Sequence, residues 1–294
     1  MTLKQSTHEV TLQGFKINSA SSDGSLGQVS QEAAEQAVHA ENSLIFLHGM
    51  LGQGRMWRTF ALNGAISGSR DVYLVDLRNH GESDHHASMT YEEMAYDLKQ
   101  FADQRGLGQF TLIGHNIGAK VGMMTATLYP DRVKGMISLD TAPMPNPEEK
   151  LKKLTLDNLK SIRALDVVGK SRKAAIDVIQ ASYPDQGIVN LISNNLIYTE
   201  ESEYKTVDWS VNLDALIENF DAISGYDTSH SPKYSGLAYF LNGELSVKYD
   251  DDIYLKEFPN ARIAEISGAG HYVHIDKGQT TVSLITQCLA EIES

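Results

Sequence analysis

Residues 111–124 read TLIGHNIGAKVGMM: an apolar run, a tight turn and a helix-forming stretch in immediate succession. Within it Gly114 and Gly118 stand two positions before and two positions after Asn116. That is the G-x-S-x-G nucleophile elbow in all but its central residue. The spacing has a steric cause. The central residue of such an elbow is held at positive φ, side chains at plus or minus two would collide with the turn, and glycine removes the collision. Two glycines four apart are common, so the pattern acquires meaning only from its surroundings.

On the N-terminal side of this turn LIFL (44–47) ends in His48 and Gly49, VYLV (72–75) ends in Asp76, and FTLIG (110–114) leads into the turn itself. Short apolar runs bounded by glycine suit parallel strands buried on both faces. Between the second and third runs Tyr91, Met94, Ala95, Leu98, Phe101 and Ala102 recur at three and four, with Thr90 and Glu93 placed as a capping box. On the C-terminal side VKGMISLD (133–140), SGLAYFLNG (235–243) and ARIAEIS (261–267) continue the series. The last helical pattern presents Val282, Ile285, Leu289 and Ile292 on one side. Strands alternating with helices specify an α/β fold with a mostly parallel central sheet and helices on both faces. Glu9 to Ile17 alternates and reads as a half-buried edge strand.

Two stretches break the alternation. Residues 18–42 are rich in Ser, Gly and Gln, contain the helix-forming piece QEAAEQAVHA, and read as a surface insertion. Residues 142–232 carry helical patterns and no convincing strand, which makes them a helical cap inserted between two sheet strands. The expected division is therefore an N-terminal strand and insertion over 1–43, an α/β core over 44–141 and 233–294, and the cap over 142–232.

Composition bounds the function. Of 294 residues 41% are apolar and 21% charged, which excludes a disordered, collagenous or coiled-coil chain. An excess of 38 acidic over 25 basic residues leaves −13, against nonspecific binding to nucleic acid or anionic membrane. The single cysteine, Cys288, forms no intrachain disulfide. No apolar run approaches the roughly 18 residues needed to span a bilayer, and MTLKQSTHEV has neither a signal core nor an Arg-rich presequence. Cytoplasm or mitochondrial matrix is the expected location. His85, His86 and His274 lack any metal-ligand spacing, so no metal is expected.

An elbow enzyme stabilises its oxyanion with the amide after the nucleophile and one from an earlier strand-to-helix loop. Ile117 supplies the first position, and HGMLGQG after LIFL supplies the second through Met50. A late histidine completes the chain order, and His271, in a Gly-flanked loop before the last helix, fits it. For the carboxylate two positions compete. Asp140, at the end of the strand before the cap, is preferred; Asp250 to Asp252, beyond Ser246 in the loop GELSVKYDDD, are the alternative. His48, Leu51, Met144, Trp209 and Tyr272 are the candidate substrate contacts. His115 and the LRNHG stretch (Arg78, Asn79 and His80) read better as packing and pairing beneath the site than as chemistry.

Together HGMLGQGRMW, DLRNHGESDHH, GHNIGAKVGM, LDTAP, WSVNLDAL and GAGHYVHIDK resemble the α/β-hydrolase family. The resemblance is strongest to the branch of small bacterial esterases and a mitochondrial α/β-hydrolase-domain protein, and it runs from about residue 44 to the end. It implies hydrolysis of small-molecule carboxylic esters or thioesters without metal or cofactor. In that branch the acid follows the strand before the cap, in agreement with Asp140, and a serine occupies position 246.

One departure dominates. The family has serine where this chain has Asn116. A carboxamide nitrogen is delocalised and is no nucleophile, so the serine-type acyl-enzyme cannot form. Asparagine tolerates positive φ, so the elbow can keep its shape. An inactive trap variant and a natural pseudoenzyme both fit. Two rival readings stand beside them: a non-catalytic binding or assembly subunit of a larger complex, and a relative of the epoxide hydrolases and dehalogenases, which carry Asp at this elbow.

Overall fold

The computed structural model describes residues 10–17, 27–28, 42–145, 148–199, 205–227 and 231–294. Ten strands are present among them: β1 (Gly14–Ile17), β2 (Gly27–Gln28), β3 (Ser43–Leu47), β4 (Asp71–Val75), β5 (Phe110–His115), β6 (Val133–Leu139), β7 (Leu196–Tyr198), β8 (Val207–Trp209), β9 (Leu237–Gly243) and β10 (Ala261–Ile266). Eight form one sheet in the order β10-β9-β6-β5-β3-β4-β1-β2. From β10 to β4 all neighbours are parallel, and β1 joins antiparallel to β4.

The near-continuous apolar strands have a direct structural consequence. Successive side chains point to opposite faces, and both faces are covered. Ile45, Leu47, Tyr73, Val75, Leu112, Met136 and Phe240 pack into one cluster with the helices Tyr91–Gln104 and Ile117–Leu128. Leu44, Phe46, Val72, Leu74, Ile113, Ile137 and Leu241 pack into another with Trp57 and the C-terminal helix Gly278–Glu293. A fully buried side chain of this kind is worth roughly 1.5–3 kcal/mol, so the two clusters hold the sheet from both sides. Thr90 caps its helix as the sequence implies: its hydroxyl accepts from Glu93 N at 3.2 Å while the Glu93 carboxylate accepts from Thr90 N at 3.1 Å.

Two expectations need correction. Among the described residues of the alternating N-terminal segment, 10–17, the strand is confined to Gly14–Ile17, and it is second from the edge, with β2 outside it. Before Gly14 the chain instead pairs with the loop after β4, through Thr11 N to Asp84 Oδ2 (2.9 Å) and Gln13 N to Ser83 Oγ (2.7 Å). The helix-forming piece at 31–40 lies outside the described residues. The second correction concerns the segment between β6 and β9. Its helices Glu149–Arg163, Arg172–Ser182, Gln186–Ser193, Leu213–Glu218 and Phe220–Ser224 are joined by an antiparallel hairpin, β7–β8. Each hairpin strand is three residues long, too short for a period of two to show.

Polar tethers fix this segment over the carboxyl ends of the core strands. Gln53 Nε2 donates to Asn194 O (2.9 Å) and Ser210 Oγ (3.0 Å), and Asn195 Nδ2 donates to Leu51 O (2.8 Å). On the other side Asn212 N donates to Asn79 O at 2.9 Å. Among the described residues no helix is long and apolar enough to cross a membrane.

Candidate active site

Among the described residues four non-glycine residues have positive φ: Leu51 (59°), Asn79 (66°), Asn116 (54°) and Asp140 (50°). Each costs on the order of 1–3 kcal/mol unless its surroundings over-determine it. All four stand just beyond the carboxyl ends of parallel strands, Leu51 after β3, Asn79 after β4, Asn116 after β5 and Asp140 after β6. Strain is therefore gathered where α/β sheets bind ligands.

The turn at 116 shows why its flanking residues are glycine. A Cβ at Gly114 would lie 2.6 Å from Ala119 N, and one at Gly118 2.5 Å from His48 O. Asn116 itself is the N-terminal boundary of the helix Ile117–Leu128, and its backbone N–H donates to Thr141 Oγ1 at 2.9 Å. That hydroxyl donates onward to Leu139 O at 3.1 Å. Thr141 thus locks the turn to the end of β6, a role with no motif in the sequence to announce it.

Asp140 and His271 meet although 131 positions separate them: His271 Nδ1 lies 2.7 Å from Asp140 Oδ2. The Asp140 side chain is 4% exposed and the His271 side chain 41%. Three donors converge on the carboxylate. Besides the imidazole, Gly243 N donates to Oδ1 at 2.7 Å and Ser246 Oγ to Oδ2 at 2.6 Å. An acceptor-only carboxylate requires the proton on Nδ1, which leaves His271 Nε2 as a lone-pair site. That nitrogen faces Asn116 Nδ2 at 3.4 Å. The other end of the same carboxamide, Oδ1, lies 3.4 Å from Met50 N. The amide hydrogens consequently point at the imidazole and the amide oxygen at the main-chain donor. Both contacts are longer than a good hydrogen bond.

The remaining expected residues fall into place as follows. Ile117 is the first residue of the helix after the turn, and its side chain is buried. Met144 and Trp209 are partly buried against the core, and Tyr272 is exposed. Leu51 is buried, and its carbonyl is taken by Asn195. His48 is a correction: it is 1% exposed, its Nε2 accepts from Leu77 N at 3.0 Å, and its Nδ1 lies 2.8 Å from Gly49 O. No polar atom of the ring is left for a substrate, and it shapes the Met50 loop from beneath. Burial lowers its pKa to about 4, so it is neutral.

Asp251 and Asp252 open the helix Asp251–Glu257 and are exposed, and Asp250 precedes it. Their carboxylates face solvent at a helix N-terminus, where negative charge is favoured, and the partner of His271 is Asp140. Arg78 is buried and holds Asp97 in a bidentate pair at 2.6 and 2.8 Å. Asp76 accepts from Gly54 N (2.6 Å) and Glu82 N (3.0 Å), tying together the loops after β3 and β4. Burial raises its pKa, partly offset by these bonds. Among the described residues no group of three or more His, Cys, Asp or Glu side chains could hold a metal ion.

Comparison with known proteins fits this geometry. A family model described as the alpha/beta hydrolase fold matches residues 42–165. The sn-1-specific diacylglycerol lipase ABHD11 of Mus musculus is 30% identical over 254 residues, covering 84% of this chain and 81% of that protein. The chain belongs to the α/β-hydrolase fold family. Its similarity extends to Esterase YbfF of Escherichia coli, 26% identical over 262 residues with 86% of this chain and 95% of that protein covered. A solved structure, "Marine microorganism esterase", superposes with a TM-score of 0.79 at 27% identity, covering 95% of this chain and 99% of that one. These relatives place this α/β-hydrolase on the esterase branch, with an ester-hydrolase scaffold.

Proposed function

We propose that this chain is an ester- or thioester-binding α/β-hydrolase in which Asn116 holds the nucleophile position, so that it binds small acyl esters and turns them over very poorly. In this reading residues 142–232 are the cap over the site. His271 is the base, Asp140 orients it, and the main-chain amides of Met50 and Ile117 are the oxyanion donors.

The observation that carries the reading is the position of one carboxamide. It spans the distance between the Nε2 lone pair of His271 and the Met50 amide, 3.4 Å from each. A serine hydroxyl there would donate to Nε2, become nucleophilic as the imidazole took its proton, and direct the acyl oxygen to the two amides. Asparagine offers no such electron pair, and its own oxygen already lies towards one of the donors.

Replacing Asn116 by Ser tests the proposal. The variant should hydrolyse short p-nitrophenyl esters while the unaltered chain scarcely does. A folded Asn116→Ser protein with no gain in turnover would overturn it and favour the binding or assembly role. An Asn116→Asp protein active on epoxides or alkyl halides would move the chain to the Asp-nucleophile class.

A further inference from the structure

The backbone at Asn116 brings a main-chain nitrogen to its own side chain: φ is 54° and ψ is −124°. In an L-residue the N and Cβ atoms stand a third of a turn apart about the Cα–C bond. A ψ of this size and sign therefore swings the Ile117 nitrogen to the Cβ side, where it nearly eclipses the Cα–Cβ bond. The ring atoms Ile117 N and Asn116 C, Cα and Cβ of a cyclic imide are thereby close to coplanar, and only a bond from that nitrogen to Asn116 Cγ is missing. Ile117 opens its helix, and the N–H of a first helical residue has no acceptor within the helix. No intrahelical bond has to break for it to react.

The groups about the carboxamide suit its displacement. Met50 N lies 3.4 Å from Oδ1, the oxygen that gains charge when Cγ is attacked, and His271 Nε2 lies 3.4 Å from Nδ2, the atom that must leave. Contacts of this length tighten as charge develops. Asp140, 2.7 Å from His271 Nδ1, stabilises the imidazolium that would carry the proton between them. The His271 side chain is 41% exposed, so water has access to the ring once formed.

We propose that Asn116 is a site of self-modification, at which the main chain converts the carboxamide to a carboxylate through a cyclic imide. Ile117 N attacks Asn116 Cγ and the N–Cγ bond forms. The proton of that nitrogen passes to His271 Nε2 and from there to Nδ2, the Cγ–Nδ2 bond breaks, and ammonia leaves. Water then adds at Cγ, the N–Cγ bond breaks, Ile117 N regains a proton, and a carboxylate remains at position 116. No oxidation state changes. Opening at Cγ is favoured over opening at the main-chain carbonyl because Met50 N already faces the side-chain oxygen, so aspartate outweighs isoaspartate. A carboxylate is a nucleophile where a carboxamide is none, and the step would make an inert position a reactive one. The inference needs only the turn and its two neighbours, and it stands or falls apart from the ester reading.

Asn63 supplies an internal control. It is exposed and precedes Gly64, whose nitrogen is unhindered, but its ψ of 117° places that nitrogen on the Hα side of the Cα–C bond. In an unfolded chain the order should reverse, because the branched Ile117 side chain hinders ring closure and Gly64 does not.

Peptide mapping by mass spectrometry of the full chain, held at neutral pH in buffer and in urea, tests the proposal. In buffer the peptide carrying residue 116 should exchange NH for O at least about tenfold faster than the peptide carrying Asn63, and in urea the two should change places. His271→Ala should slow conversion at 116 on the order of a hundredfold, the lower end for a positioned acid–base group. The folded-against-urea comparison keeps the test intact if that variant does not fold. Hydroxylamine added to the folded chain should divert the imide to a hydroxamate at position 116. A carboxamide at 116 that outlasts the one at Asn63 in buffer, faster conversion at 116 in urea than in buffer, or a rate that His271→Ala leaves unchanged would each overturn the inference. Aspartate formed with no hydroxamate would overturn the imide route in favour of direct attack by water.

Discussion

The two halves of the site are built to different tolerances. Around Asp140 three donors lie at 2.6–2.7 Å and the carboxylate is nearly enclosed. Around Asn116 the side-chain contacts are both 3.4 Å, although the backbone beneath is pinned by Thr141 at 2.9 Å. A charge held by short hydrogen bonds in a dry setting is strongly positioned; a neutral amide at the limit of bonding distance is merely accommodated. Under the proposed function the first half is the acid–base pair, and the second is an elbow backbone carrying a carboxamide, which is no nucleophile. This comparison breaks if the reactive half can be restored and nothing happens. Removing a nucleophile from a triad of this type costs on the order of 10⁶ in turnover, so Asn116→Ser is expected to raise hydrolysis of p-nitrophenyl acetate by several orders of magnitude. A rise of less than about tenfold would mean that the two halves are mismatched.

Once that variant is active, the acid–base half can be broken separately. Asp140→Asn presents an amide donor where Nδ1–H needs an acceptor, which turns the imidazole towards the wrong tautomer. The loss in kcat expected for such a change is on the order of 10⁴. Asp251→Asn in the same background should leave kcat within twofold, because that carboxylate is exposed at the first turn of another helix. The opposite pattern would move the orienting acid to the later loop.

Legibility followed the range of the physics involved. Steric exclusion acts over two residues, so Gly114 and Gly118 announced a turn whose crowding is that of a 2.5–2.6 Å contact for any added Cβ. The strands were readable because burial on both faces demands unbroken apolar runs. His271 and Asp140 stood out through chain order and the resemblance, since no local rule pairs residues 131 apart. Thr141, Gln53 and Asn195 make hydrogen bonds whose partners exist only after folding, and a lone polar residue in a loop looks the same with or without them. The β7–β8 hairpin escaped because its strands are too short to display a period. His48 was a candidate substrate contact because it flanks the site; only the folded structure shows both ring nitrogens engaged.

The histidines sharpen the comparison in another way. His271 is the partly exposed ring, whereas His48, His80 and His274 are held by burial at about 4, about 3 and about 4. An unfolded imidazole takes its proton below about pH 6.5, while these folded rings refuse it until lower pH. Between those limits the unfolded chain binds more protons, so unfolding free energy falls as pH falls. At pH 5 each such ring costs about 2 kcal/mol of stability. The effects are not additive, since His48 and His80 lie 4.9 Å apart. Urea midpoints measured at pH 7 and pH 5 should drop markedly. An unchanged midpoint would show that the rings beneath the site reach solvent.

The finest test concerns the third donor to Asp140. Ser246 Oγ donates at 2.6 Å to Asp140 Oδ2, the same oxygen that accepts from His271 Nδ1. Its role is to position. In the Asn116→Ser background Ser246→Ala leaves two donors on the carboxylate, and losing a hydrogen bond to a charged group is worth about 1.5–3 kcal/mol. Gly243 N and the enclosed setting hold Asp140 in part, so the lower end applies and kcat should fall about tenfold. KM should scarcely move, since the hydroxyl's bond is to the Asp140 carboxylate, and Ser246→Thr should recover most of the rate by supplying the same donor. A loss confined to KM, or a failure of Thr to rescue, would mean that Ser246 shapes the loop rather than the carboxylate, and the strong half of the site would then rest on two donors instead of three.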